Sequence, residues 1–213
     1  VKKTGGKLRL SLAVKTRRNL MSVENHSHHG PEKLSDKIYA ETGVNAARCY
    51  QCGKCSAGCP LAEDMDFPPS VIMRLLQTGL PINEEKALKS YSIWLCLACE
   101  TCYARCPMEI DIPKVADCLR HESLRRKKAN PKSKDIISFH RAFLDSIKYT
   151  GRLYEMGLIA DYKARTRHLI QDVNLAPGMY IKGKLHIIPE RIKNLRLMKK
   201  IFSKTLESKE TIR

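Results

Sequence analysis

Eight cysteines of this 213-residue chain fall into two copies of one pattern, Cys49-x2-Cys52-x2-Cys55-x3-Cys59-Pro60 and Cys96-x2-Cys99-x2-Cys102-x3-Cys106-Pro107. Thiolates at this spacing hold paired cubane iron–sulfur clusters. Three sulfurs at i, i+3 and i+6 can cap three irons of one cube, while the fourth, displaced by one more residue and followed by proline, points elsewhere. In two-cluster arrangements of this kind the fourth cysteine of each run serves the other cluster. The expected ligand sets are therefore Cys49, Cys52, Cys55 and Cys106 for one [4Fe-4S] cluster, and Cys96, Cys99, Cys102 and Cys59 for the second. A pair of such centres carries electrons. Zinc also uses Cys-x2-Cys pairs, but it needs two pairs per ion and leaves the third and fourth cysteines of each run without a role. A disulfide framework fits poorly, because a chain of this length can bury its own core. Leu8 to Val14, short and interrupted by Arg9, is no secretory signal. No apolar run approaches the length that spans a bilayer, so the expectation is a soluble, cytoplasmic chain whose thiols stay reduced.

Helical signals surround both motifs. Ser35 caps a short helix through Thr42 that Gly43 ends, leading into the first cysteine loop. Asp66 with Pro68 and Pro69 opens a helix whose apolar face is Val71, Ile72, Leu75 and Leu76, closed by Gly79. Asn83, with Glu84 and Glu85 in the first turn, opens another containing Ala87, Leu88 and Tyr91. Two helices between Cys59 and Cys96 argue for an all-α fold, an α-helical ferredoxin, since a small ferredoxin would place short strands there. Asp111 to Lys128 is a helix that carries the ninth cysteine, Cys118, near Ile112, Val115, Ala116 and Leu119, as a buried small hydrophobe rather than a ligand. After a break at Asn130-Pro131, Ser133 caps a helix with Ile136, Ile137, His140, Phe143, Leu144 and Ile147 at helical spacing, His140 being a core or interface residue rather than a ligand. A looser region follows. Leu175 to Gly183 reads as loop, and Pro189 starts a last helix with Ile192, Leu195, Met198 and Ile201.

The formal net charge is +17, and it is unevenly placed. Residues 34–110 carry 7 Lys/Arg against 9 Asp/Glu, residues 1–33 carry 8 against 2, and residues 111–213 carry 24 against 11. The organisation expected from this is a basic N-terminal arm over 1–33, a helical ferredoxin domain over 34–128, and a helical extension for subunit docking over 129–213. Val1 is no natural initiator and Met21 is an alternative start. His26, His28 and His29 crowd the arm, where solvated side chains are the ordinary reading. No stacking motif or helix-turn-helix accompanies the charge, and Arg125, Arg126, Lys127 and Lys128 sit at a helix end where cations suit the dipole, so no nucleic acid is expected.

The run Cys49-Tyr50-Gln51-Cys52-Gly53-Lys54-Cys55-Ser56-Ala57-Gly58-Cys59-Pro60 resembles the C subunit of methanogen heterodisulfide reductase. Ile93-Trp94-Leu95-Cys96 and the ending Cys102-Tyr103-Ala104-Arg105-Cys106-Pro107 are similar to the same family's second motif. The likeness covers about Thr42 to Ile112, with a looser similarity from Met179 to Phe202. The resemblance implies a relay through two [4Fe-4S] clusters, from an A subunit that contains flavin and iron–sulfur centres to a catalytic B subunit that reduces the coenzyme M–coenzyme B disulfide. It also implies a larger assembly with a hydrogenase or other electron donor. Related modules occur in membrane-associated glycerol-3-phosphate, glycolate and succinate dehydrogenases, which are the alternative reading, and a nucleic-acid-binding protein with structural clusters is a third. The chain has no Gly-x-Gly-x-x-Gly for a dinucleotide and no Cys-Cys-Gly of the catalytic type, so no catalytic residues are expected. Gly53 and Gly58 would let backbone amides approach the clusters, Lys54 and Arg105 would add positive potential, and Trp94 and Tyr103 would shield them from water.

Overall fold

Each helix that surrounds the cysteines begins or ends on a residue whose chemistry stops it there. In the computed structural model, which describes residues 33–168, 176–183, 189–190 and 192–210, the first is α1, Leu34–Thr42, so Ser35 lies inside it rather than capping it. Gly43 ends it at φ +72, a left-handed conformation that costs glycine little, and its N–H bonds back to the Tyr39 carbonyl. The short helix α2, Lys54–Ala57, lies within the first cysteine run. Next come α3, Pro69–Thr78, and α4, Pro81–Leu88, both started by proline in the first turn, where its missing N–H has no intrahelical partner to lose. Asn83 therefore lies inside α4, and Tyr91 falls beyond it. The buried face of α3 is Ile72, Met73 and Leu76; Val71, expected on that face, is exposed.

The short α5, Ser92–Leu95, leads into the second cysteine run, which contains α6, Thr101–Ala104. The long α7, Ile112–Arg125, is capped by Asp111, whose carboxylate accepts from the Lys114 N–H at 3.1 Å. It buries Ile112, Val115, Ala116, Cys118 and Leu119 against α1, α4 and α5, so one core joins α1, α3, α4, α5 and α7. Cys55 and Cys102 belong to that core.

Two carboxylates inside this core fasten helix to helix. The Glu84 carboxylate accepts from the Leu34 N–H at 2.9 Å, satisfying a donor that the start of α1 would otherwise leave orphaned. The Glu122 side chain is fully buried and accepts from Lys37 Nζ at 2.6 Å, from Arg125 Nε at 2.7 Å and from Arg126 Nε. Burial alone would push its carboxyl up, but hydrogen bonds from Arg125, Lys37 and Arg126 outweigh that and hold it well below the usual carboxylate range. Lys128 meets Glu85 at 2.9 Å. Three of the four cations closing α7 are therefore engaged by neighbouring carboxylates.

Beyond the core, α8, Lys134–Thr150, follows a single turn at Pro131–Ser133 and ends at Gly151, φ +78. Ser133 makes no side-chain cap; its hydroxyl donates to the Asn130 carbonyl. His140 is exposed and so no core residue, with its ring 6.3 Å from that of Phe139. The stretch after α8, expected to be loose, contains the 12-residue α9, Glu155–Thr166, which folds back on α8 with Phe139 and Tyr162 edge to face at 6.1 Å. Part of the expected Leu175–Gly183 loop is likewise helical, as α10, Ala176–Ile181, with Pro177 and Gly178 inside it. The last helix, α11, Leu195–Glu210, begins six residues after Pro189 and packs on α8. No strand occurs among the described residues, and no described helix is long and apolar enough to cross a membrane. The histidines and Met21 of the arm lie outside the described residues.

Candidate iron–sulfur site

The two cysteine runs adopt the same local backbone, offset by 47 positions. Gln51 and Gly53 have positive φ of 63° and 75° in the first, and Ala98 and Glu100 have 51° and 59° in the second. Left-handed residues on either side of the second cysteine curl each run, and in the second run Cys96, Cys99 and Cys102 line one cavity. One turn of helix follows each curl, α2 after the first and α6 after the second, and the two helices pack against each other. Gly58 has a different role from loop flexibility. A Cβ there would stand 2.6 Å from the Arg105 side chain, so the glycine makes room for Arg105, which occupies the equivalent position of the second run.

Side by side packing of α2 and α6 brings cysteines from both runs together. Cys59, Cys96, Cys99 and Cys102 line one cavity of about 50 Å³ whose other walls include Leu61, Phe67, Ile72, Ile93 and Ile112. On the other side, desolvation and the neighbouring Cys52 thiol, with smaller contributions from Cys106 and Cys49, push the Tyr50 phenol up. Burial pushes the Cys55 thiol up, and burial with Cys96 beside it pushes Cys102 up to about 11. Buried thiols of this kind ionise readily only when a cation lies against them, as metal ligation supplies. Hydrogen bonds already reach several sulfurs: the Ile110 N–H donates to Cys106 Sγ at 3.4 Å, and Cys99 Sγ lies 3.4 Å from Thr101 Oγ1, which lowers the Cys99 thiol. Among the described residues no three ligating side chains converge as a single ion would require; Cys59, Cys96, Cys99 and Cys102 instead line the walls of one cavity, which suits a polynuclear group.

Several supporting residues carry no signal in the spacing. Asp66 does not open α3. Its carboxylate accepts from the Ser90 hydroxyl at 2.8 Å and from the Tyr91 and Ser92 N–H groups at 2.8 and 2.9 Å, fixing the turn that enters α5. Burial opposes ionisation of Asp66, yet the bonds from Ser92, Tyr91 and Ser90 prevail and lower it. Gln77 on α3 donates to the carbonyls of Ala46, 3.1 Å, and Cys49, 2.5 Å. Arg120 on α7 donates to the carbonyls of Ile93, 2.5 Å, and Cys96. These partners lie 24 to 31 residues from Asp66, Gln77 and Arg120, beyond any local pattern.

The remaining expectations fall as follows. Cys118 is buried in the core and donates to Glu41 Oε2 at 3.1 Å; burial and that carboxylate push its thiol up to about 12, the state of an inert structural cysteine. Lys54 and Tyr103 are exposed, whereas Trp94 is buried, and its indole N–H is the buried side-chain donor left without a partner among the described residues.

Residues 45–110 match the 4Fe-4S dicluster domain family. Over 95 residues, 44% of this chain and 48% of the relative, the chain is 33% identical to the iron–sulfur C subunit of the CoB–CoM heterodisulfide reductase of Methanopyrus kandleri. It is 29% identical over 108 residues, 51% of this chain and 57% of the relative, to the C subunit of the H2:CoB–CoM heterodisulfide,ferredoxin reductase of Methanothermobacter thermautotrophicus. A third relative, from Methanocaldococcus jannaschii, is the second iron–sulfur C subunit of the CoB–CoM heterodisulfide reductase, 36% identical over 73 residues, 34% of this chain and 37% of the relative. The matched region spans about half the length of the first two relatives. The all-α cysteine region is thus a 4Fe-4S dicluster domain, with two [4Fe-4S] clusters as its cofactors, similar to that of the iron–sulfur C subunits of heterodisulfide reductases.

Proposed function

We propose that this chain is the electron-relay subunit of a heterodisulfide reductase complex. Cys49, Cys52, Cys55 and Cys106 hold one [4Fe-4S] cluster, and Cys96, Cys99, Cys102 and Cys59 hold the other. The observation that carries the reading is the cavity in which Cys59 of the first run lies with the three leading cysteines of the second. The clusters supply one-electron storage at a potential set by burial, charge and hydrogen bonds to sulfur. The residues of the chain hold and tune them. The curled loops aim the thiols, the Ile110 N–H reaches Cys106 Sγ, and Leu61, Phe67 and Ile112 keep water from the second cavity. Among the described residues no group is placed to break or form a covalent bond in a substrate, which suits a relay; the partners are the flavin- and iron–sulfur-containing A subunit upstream and the catalytic B subunit downstream, in an assembly fed by a hydrogenase or other donor.

The division of labour follows the helices. Residues 34–128 carry the clusters, and 129–213 dock a neighbouring subunit. Leu144, Tyr149 and Leu197, all more than half exposed, support that docking role. An anaerobic native pull-down, with iron and acid-labile sulfide measured on the same material, tests the proposal. The expected result is eight irons per chain and co-purification of a flavoprotein and a Cys-Cys-Gly protein. Material with zinc in place of iron would overturn the cluster assignment; iron-loaded material without those partners would overturn the choice of complex.

A further inference from the structure

The two cysteine loops are held by the same device made from different chemistry. In each, one side chain from a later helix clasps two carbonyls: that of the first cysteine and that of the residue three before it. Gln77 clasps Ala46 and Cys49, and Arg120 clasps Ile93 and Cys96, the four acceptors being equivalent under the 47-residue offset. One clasp is a neutral amide and the other a permanent cation.

A cubane gains one negative charge on reduction, so a fixed positive charge nearby favours its reduced form. The Arg120 side chain is only 18% exposed, and its guanidinium hydrogen-bonds the backbone of Cys96 itself. Other charges face the loops. Asp117 pairs with Arg120 at 2.9 Å but is 64% exposed, and Glu100 on the same loop is exposed. Arg48 and Lys54 flank the first loop and act in the opposite sense, and Arg105 of the second run lies against Gly58 of the first, but all three are exposed too. Water and salt screen these five more strongly than they screen a largely buried guanidinium bonded to the loop.

We infer that Arg120 makes the cluster on the Cys96 side the more easily reduced of the two, so that an electron entering the chain from an external one-electron donor rests there, with no bond made or broken. Arg120 is a positioning and tuning residue in this scheme, and Gln77 is its neutral counterpart. The inference rests on the two-cluster reading above.

The test is a potentiometric titration of the full chain, isolated anaerobically, followed by the EPR signals of the reduced clusters. In Arg120→Gln the higher-potential wave is expected to fall by about 59 mV, a tenfold change in its reduced-to-oxidised ratio at fixed potential, while the lower wave stays in place. Arg120→Lys keeps the charge and is expected to retain most of the higher potential. Gln77→Lys raises the lower wave and narrows the gap from the other side, and it decides the matter if Arg120→Gln loses its iron. With iron and sulfide unchanged, equal shifts of both waves, movement of the wrong wave or no movement in these variants would overturn the inference. Absence of iron from the unmutated chain would instead remove the two-cluster reading.

Discussion

Residues 34–125 and the described residues of 134–210 are both largely helical, but they bury different things. In the first region the helices enclose a continuous core of Leu34, Ile38, Ile72, Met73, Leu76, Leu88, Val115 and Leu119, with Cys55 and Cys102 within it. In the second, the buried residues are small, Ala142, Thr150 and Thr166, while Leu144, Tyr149, Leu197 and Ile201 face outward. The contrast teaches that amphipathic helices do not by themselves make a core. The first set closes on itself because α7 is long enough to meet α1, α4 and α5. The second pairs as α8 with α9 and α11, which leaves an apolar face on the outside.

The sharpest way to break this contrast is at the cysteines. On the proposed ligand exchange, Cys106→Ala or Cys59→Ala removes a ligand that ties one run to the other, and we expect loss of about half the iron or more with both clusters disturbed, because metal assembly and folding are linked. Iron and sulfide analysis with EPR checks it; full retention of both clusters refutes the ligand exchange. Next comes the core. Leu119→Ala should cost about 2–5 kcal/mol in denaturant unfolding, as a fully buried leucine leaves a cavity.

A smaller effect is expected at Glu122. Glu122→Gln removes the charge that Lys37, Arg125 and Arg126 share, and should cost about 2 kcal/mol at neutral pH, toward the low end for buried pairs because Arg125 and Arg126 are partly exposed. Its pH dependence has a definite sign. The folded carboxyl lies below its ordinary value of 4.5, so the stabilisation is present above that value and fades as pH falls through the depressed one. The gap between the unfolding curves of the wild type and Glu122→Gln should therefore be constant well above pH 4.5 and begin to narrow as pH falls below it. The smallest effect belongs to the second region: Leu144→Ala should change the stability of the isolated chain by less than about 0.5 kcal/mol. In a pull-down the same substitution should weaken partner retention, and unchanged retention would count against docking through α8.

The cluster chemistry and the all-α class were legible in the residue order because they rest on local rules. Thiol spacing of two, two and three, a proline after the fourth cysteine, and Gly43, Gly79 and Pro69 at helix ends act within a few residues of themselves. What escaped was of two kinds. Helix α9 has few strong periodic apolar positions, and it forms where it can lie along α8 with Tyr162 against Phe139. The clasps of Gln77 and Arg120, the anchoring of α5 by Asp66 and the burial of Glu122 join residues tens of positions apart, some of them through backbone carbonyls that look alike in any sequence. Residue order alone determined which atoms could bind iron and that helices would surround them. Tertiary packing decided which carbonyl meets an amide and which meets a cation, because that choice depends on where α3 and α7 come to rest against the loops.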